Sequence, residues 1–235
     1  MELDRIIKKL RSMGSKKIKA SLARFGINTG SSLGVSIPKL RALAKQIKPD
    51  HSLALKLWDT EIHEARILAG MVDEKEKVTE KQMDAWVRDF SSWDVCDQVC
   101  DNLFSRTVFA VKKTFEWADG SEEFVRRAGF TMMAVLAWFR MGINDRDVAR
   151  MLSAIKKHAC DPRNFVKKAV NWALRNIGKS GTRYHKQALA LAKELSVSND
   201  RTARWIGLDA FRELSKEKII KRAGIREESF SRRSL

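Results

Sequence analysis

Apolar residues recur along the chain at the three- and four-residue spacing of one helical face, from Leu3 almost without interruption to Ile220. Short polar or Gly-containing segments break the pattern. Read segment by segment, it predicts helices over 2–12, 15–25, 37–48, 50–58, 61–72, 79–90, 92–104, 107–117, 121–139, 145–159, 163–178, 182–195, 200–214 and 216–222. Ser36 is placed as the cap of the third helix with Pro38 in its first turn, and Asp161-Pro162 opens the eleventh. The one long connection, Gly26 to Val35, is rich in Ser and Gly and links an N-terminal helical hairpin to the rest. Strand signals are scarce, because Val, Ile and Thr do not alternate with polar residues and Asn-Gly turns are absent. The Arg/Ser-rich end after Gly224 is expected to fray, leaving 1–225 as a single domain and 226–235 as a basic tail.

Four helical segments resemble one another, around Arg66, Arg127, Lys168 and Arg204, each with a basic residue just before a small or apolar stripe. Their spacings are 61, 41 and 36 residues, and the last two lie near the roughly 40-residue period of HEAT-like helix pairs. The expected fold is therefore all-α, a curved α-solenoid of HEAT-like helical repeats. In such a stack, equivalent basic positions line up as a ladder, which suits a phosphate backbone. The same residues pairing with acids of neighbouring repeats is the plainer alternative.

Composition narrows the function. The chain holds 46 Lys+Arg against 29 Asp+Glu, a net charge of +17, which points to a polyanionic partner. By segment the balance is +9 for 1–50, −5 for 51–100, +1 for 101–150, +7 for 151–200 and +5 for 201–235. Base is thus concentrated at the two ends around an acidic centre, and for 163–204 acidic partners look too few, so phosphate contact is expected there. No apolar run approaches the ~18 residues of a membrane span, and a signal-peptide pattern is missing. A soluble cytoplasmic, nucleoid-associated monomer with no required protein partner is the expectation. Cys96 and Cys100, one helical turn apart, read as small buried residues, and the odd cysteine count fits a reducing compartment. The four histidines show no metal-ligand spacing with the cysteines, and neither a phosphate-binding glycine loop nor a Gly-x-Ser-x-Gly elbow occurs. Neither a metal nor a cofactor is expected.

What remains for chemistry is one carboxylate with aromatic and basic residues. Trp93 and Asp97 stand four residues apart and share a helical stripe. This sparse set suits cleavage of the N-glycosidic bond of an alkylated purine. Alkylation at N3 or N7 makes the base cationic and a good leaving group, so no general acid is needed. The oxocarbenium-like sugar is stabilised by a carboxylate and by aromatic faces, and the carboxylate can also hold the attacking water. On the residues alone, Trp93, Trp172 and Asp97 as core or pairing residues remain open; Trp58, Trp86, Trp117, Trp138 and Trp205 are assigned to the core.

Trp93-Asp94-Val95-Cys96-Asp97 resembles the Trp-Asp-x-Val/Cys-Asp signature of the AlkD-type alkylpurine DNA glycosylases, the HEAT-like repeat family of DNA alkylation repair. Phe124 to Ala128 resembles their arginine-bearing helix, Trp172-Ala173-Leu174-Arg175 their Trp-x-x-Arg helix, and Gly34 to Arg41 their Gly-Ile-x-Thr-Pro-x-x-Arg segment. Cys96 departs from the commoner Val, and Asp101 adds a second carboxylate one turn beyond Asp97. The resemblance implies excision of N3- and N7-alkylpurines from duplex DNA without base flipping. It implies Asp97 as the catalytic carboxylate, Trp93 and Trp172 against the lesion's deoxyribose, and Arg127 on the adjacent backbone. Arg175, Lys168, Lys179, Arg183, Arg204 and Arg41 are the expected DNA-binding cations. Two rivals keep the same charge pattern: a non-catalytic protein that binds damaged or structured DNA, and a helical scaffold for acidic proteins.

Overall fold

The computed structural model describes residues 2–231, with side chains through Gly224. Among them there is no strand, and no helix is long and apolar enough to cross a membrane. The chain packs as two compact units, Met1–Phe109 and Ala110–Leu235.

The first unit comprises α1 (Leu3–Met13), α2 (Lys16–Arg24), α3 (Ile37–Gln46), α4 (His51–Asp59), α5 (His63–Val72), α6 (Glu80–Arg88) and α7 (Trp93–Asn102). A one-turn 3-10 helix, Phe104–Arg106, follows, where the sequence pattern predicts the end of one longer helix. α5 is the central element, packed against α3, α4 and α7, and eight of its ten residues are buried. The core beside it is aromatic. Trp58 and Trp86 stack face to face with centroids 4.0 Å apart, Phe90 meets Trp58 edge-on, and Trp58 Nε1 donates to Asp89 at 2.8 Å. Burying the indole with its N–H satisfied retains the apolar gain without the desolvation cost.

The second unit comprises α8 (Ala110–Ala118), α9 (Glu123–Phe139), α10 (Asp145–His158), α11 (Asn164–Gly178), α12 (Thr182–Ser196), α13 (Arg201–Leu214) and α14 (Glu217–Ser231). Two rows form it: α9, α11 and α13 pack side by side, and α8, α10 and α12 line up behind them. Two glycines allow the rows to approach. A Cβ on Gly129 of α9 would overlap the backbone of Ala118 at the end of α8, and one on Gly207 of α13 would overlap Ser196 at the end of α12. Each glycine is the seventh residue of its helix, so the same crossing recurs two helix pairs apart, as repeat architecture requires.

Helix boundaries agree with the sequence pattern to within a few residues, with one larger exception. α14 continues to Ser231, well past Gly224, where fraying was expected; residues 232–235 of the expected tail lie outside the described residues. Two cap assignments also differ. Ser36 has N-cap geometry but its hydroxyl makes no capping bond; Pro38 stands at N2 and removes one of the two amides such a cap uses. The N-cap of α11 is Arg163. Asp161 instead bridges Arg163 at 2.5 Å and Arg126 of α9 at 2.6 Å. Burial alone would raise its pKa, but those two guanidinium groups hold it down at about 2.

Candidate functional site

In the first unit, the candidate site is built on α7. Trp93 is the first residue of this helix and Asp97 the fifth, so they project from one stripe, and both are half-buried. Trp93 Nε1 donates to the carbonyl of Phe25 at 3.1 Å, which ties the indole to the end of the N-terminal hairpin. Asp94 between them is engaged: one carboxylate oxygen accepts from Ser92 Oγ at 2.8 Å, and the other lies 2.8 Å from Nε2 of buried His63. Cys96 and Cys100 of α7 are buried, as their spacing suggests.

The loop before α3 is held by a buried acid. Glu64, 1% exposed, accepts from Ser32 Oγ at 2.7 Å and from the backbone N–H groups of Leu33, Gly34 and Val35 at 2.8, 2.7 and 3.2 Å. Gly34 has φ +77°, and a Cβ there would collide with the carbonyl of Ser15, so this turn requires glycine. The Ser/Gly-rich segment is thus an ordered cradle wrapped around one carboxylate. Its neighbour His63 joins it to α7.

The His63–Asp94 pair has a pH signature. Burial alone would lower the His63 pKa, but the hydrogen bond and charge of Asp94, with Glu64 adjoining, hold it above the ordinary 6.5. For Asp94, burial would raise the pKa, and His63 and Ser92 hold it below the ordinary 3.8. The His63 contribution to stability is therefore complete below its unfolded value and is lost as pH rises through its raised folded pKa. The Asp94 contribution is complete above its unfolded value and is lost as pH falls through its depressed one. The melting temperature of the first unit should accordingly decline as pH rises above about 6.5, and this decline should flatten in His63→Gln. Scanning fluorimetry across neutral pH checks this; identical slopes in both proteins would remove the pair from the account.

The second unit carries the remaining candidates. Arg127 of α9 is 5% exposed, and Nη1 donates to the carbonyl of Phe165 at 2.6 Å, so part of this guanidinium serves the packing of α11 on α9. Along α11, Lys168, Trp172, Arg175 and Lys179 follow at four-, three- and four-residue steps and share a face; Lys168 is exposed and the other three half-buried.

The scarcity of acidic partners expected for 163–204 is corrected by this unit. Arg175 pairs with Glu213 at 2.7 Å, with Asp209 further off at 3.8 Å. Lys179 pairs with Glu213 at 2.9 Å, and Arg183 with Asp145. The partners come from α13 and α10, outside the stretch whose charges were counted. The even basic ladder is corrected too. Arg66 braces the first unit, over the Trp58 ring at 5.1 Å and bonded to the carbonyls of Trp58 and Asp89. Arg127 is buried, Arg204 is exposed but donates to the Ser198 carbonyl at 2.8 Å, and Lys168 is exposed. Arg41 is exposed on α3, with no acidic partner among the described residues.

Of the seven tryptophans, Trp58, Trp86 and Trp117 are core residues. Trp138 is half-buried, and Trp205, assigned to the core from the pattern, is 40% exposed. Sequence reasoning also missed His63 and Glu64. Their only signal was an ionisable pair opening a helix that is otherwise almost wholly apolar.

Stacked helix pairs with recurrent close crossings and cations on one helix face define the class, a helical-repeat protein suited to a polyanion. The sequence profile of the DNA alkylation repair enzymes matches residues 6–218, and the chain belongs to this family. A solved structure, described as one of a new family of proteins related to the HEAT-like repeat DNA glycosylases with affinity for branched DNA structures, is similar at a TM-score of 0.78. The match covers 91% of this chain and 95% of that one at 21% identity, and establishes the HEAT-like repeat fold. None of the curated proteins compared with the chain matches it.

Proposed function

We propose that the chain is a DNA glycosylase that hydrolyses the N-glycosidic bond of cationic N3- and N7-alkylpurines in duplex DNA, without drawing the base into a pocket. The observation that carries this reading is the α7 stripe, from which Trp93 and Asp97 project together, both half-buried. The C1′–N bond breaks with both electrons leaving on the base, whose positive charge is thereby cancelled. Asp97 stabilises the oxocarbenium ion and holds the water whose oxygen then bonds to C1′, taking up its proton. Trp93 offers its aromatic face to the deoxyribose. Arg127, Arg175, Lys168, Lys179, Arg183, Arg204 and Arg41 supply positive charge for the phosphates. The direct test is release of 7-methylguanine from methylated duplex DNA by the purified protein.

The second reading, binding of structured DNA without excision, is favoured by the description of the structural relative. Duplex or junction binding with no base release would select it.

Glu213 makes the phosphate contacts testable, because it occupies Arg175 and Lys179 together. Arg175→Ala should reduce the salt slope of DNA binding by about one unit. Glu213→Gln should instead tighten binding, since two cations are released to phosphate. Fluorescence anisotropy across a salt series reads both, and an unchanged slope in Arg175→Ala would place that residue away from DNA.

A further inference from the structure

One surface of the second unit is unlike the outer face of a terminal repeat, which solubility requires to be polar. On α13, the residues Ala203, Ile206, Gly207, Ala210 and Leu214 are buried. Opposite them Arg201, Arg204, Trp205, Leu208, Phe211 and Arg212 are all exposed. At 3.6 residues per turn these six fall within about 120° of the helix circumference. Trp205, Leu208 and Phe211 are 40%, 48% and 37% exposed, so three large apolar side chains lie open among three arginines. Lys167 of α11 reaches the same place, its ammonium 4.8 Å from the centroid of the Trp205 ring, with exposed Lys168 beside it.

The acids near this face are already committed. Asp200 caps α13 through the amide of Ala203. Asp209 takes Asn171 at 2.7 Å, and Glu213 takes Arg175 and Lys179. Among the described residues Arg201 and Arg212 have no acidic partner, and Arg204 bonds only to carbonyls. Helix register supplies a separate argument. Arg127, Lys168 and Trp205 are each the fifth residue of α9, α11 and α13. Trp205, rather than Arg204, thus holds in α13 the position that Arg127 and Lys168 hold in the two preceding helices of this row.

We infer that the Trp205 face of α13 is a stacking platform for unpaired nucleotides of single-stranded DNA. This rests on the DNA-binding part of the function proposed above and needs none of its bond cleavage. A base lies on the open part of the indole, Leu208 and Phe211 extend the apolar floor, and Arg201, Arg212, Lys167 and Lys168 meet the phosphates. An exposed aromatic within a cationic rim is how single strands are held without reading sequence. Duplex DNA, its bases stacked inside, gains only the rim.

The test is anisotropy with a labelled oligothymidylate of about twenty nucleotides and, separately, with a blunt duplex. Trp205→Ala should weaken oligothymidylate binding about tenfold, Trp205→Phe should retain it within about twofold, and both should leave duplex affinity within about twofold. Arg201→Gln/Arg212→Gln should weaken the single strand and flatten its salt dependence. Equal oligothymidylate affinity in wild type and Trp205→Ala overturns the platform. So does sedimentation showing a dimer that Trp205→Ala dissociates, because the face would then bind a second copy. If the wild type binds the single strand through Trp205 but neither binds nor excises from duplex, the glycosylase reading fails and the platform stands.

Discussion

Asp97→Asn is expected to bind methylated duplex DNA with nearly wild-type affinity and to release 7-methylguanine more slowly by a factor on the order of 10²–10³. The substitution preserves shape and hydrogen-bonding capacity but removes the charge that the oxocarbenium ion requires. It also removes the base that takes the water's proton. Because binding rests on Lys and Arg distributed over many helices, one lost carboxylate has little leverage there. Single-turnover kinetics on methylated DNA, with affinity measured on the same substrate, separates the two quantities. Asp94→Asn is the control: its oxygens face His63 and Ser92, so it should lose stability and the His63 pH dependence before it loses excision. Wild-type excision by Asp97→Asn would end the mechanism.

Glu64→Ala should be the most destabilising single change in the first unit. Glu64 is 1% exposed and accepts from one hydroxyl and three backbone amides of the Ser32–Val35 cradle. Truncation leaves those donors facing a cavity, and orphaning buried donors costs about 1–3 kcal/mol each before relaxation. A net loss of about 3–5 kcal/mol is expected, which lowers the melting temperature by roughly 10 °C or more in a chain of this size. Glu64→Gln, which keeps one carbonyl oxygen, should lose less. Calorimetry decides, and a melting temperature within about 2 °C of wild type for Glu64→Ala would show that the loop is held by other contacts.

Most of the architecture was legible in the sequence because it rests on local periodicity. The helices of the second unit bury one stripe against neighbours and leave the other to water, and their boundaries follow that pattern. The repeat register was legible less accurately. Matching basic residues aligned Arg204 with Arg127, whereas position within the helix and the shared Gly129/Gly207 crossing place Trp205 there. Charge complementarity was least visible. Glu213 and Asp145 lie 38 residues from Arg175 and Arg183, a distance one repeat long that a count within a contiguous window misses. The Glu64 cradle was invisible for a related reason: its acceptor and its donors are about thirty residues apart, joined by a turn whose geometry depends on Gly34. The α7 motif was legible by resemblance and by spacing, while the burial that engages Asp94 needed the fold.

Glu213 has a kinetic consequence. Burial would raise its pKa, yet Lys179 and Arg175 hold it below the ordinary 4.5, so it stays anionic throughout the physiological range. If Arg175 and Lys179 meet phosphates as proposed, Glu213 is an internal counterion that keeps the two cations spaced until an incoming phosphate displaces it. Each encounter with DNA would then complete this exchange, and each departure would be helped by its reversal. Residence on any one stretch is shortened accordingly, which favours a molecule that samples long tracts of backbone over one that adheres to the first it meets.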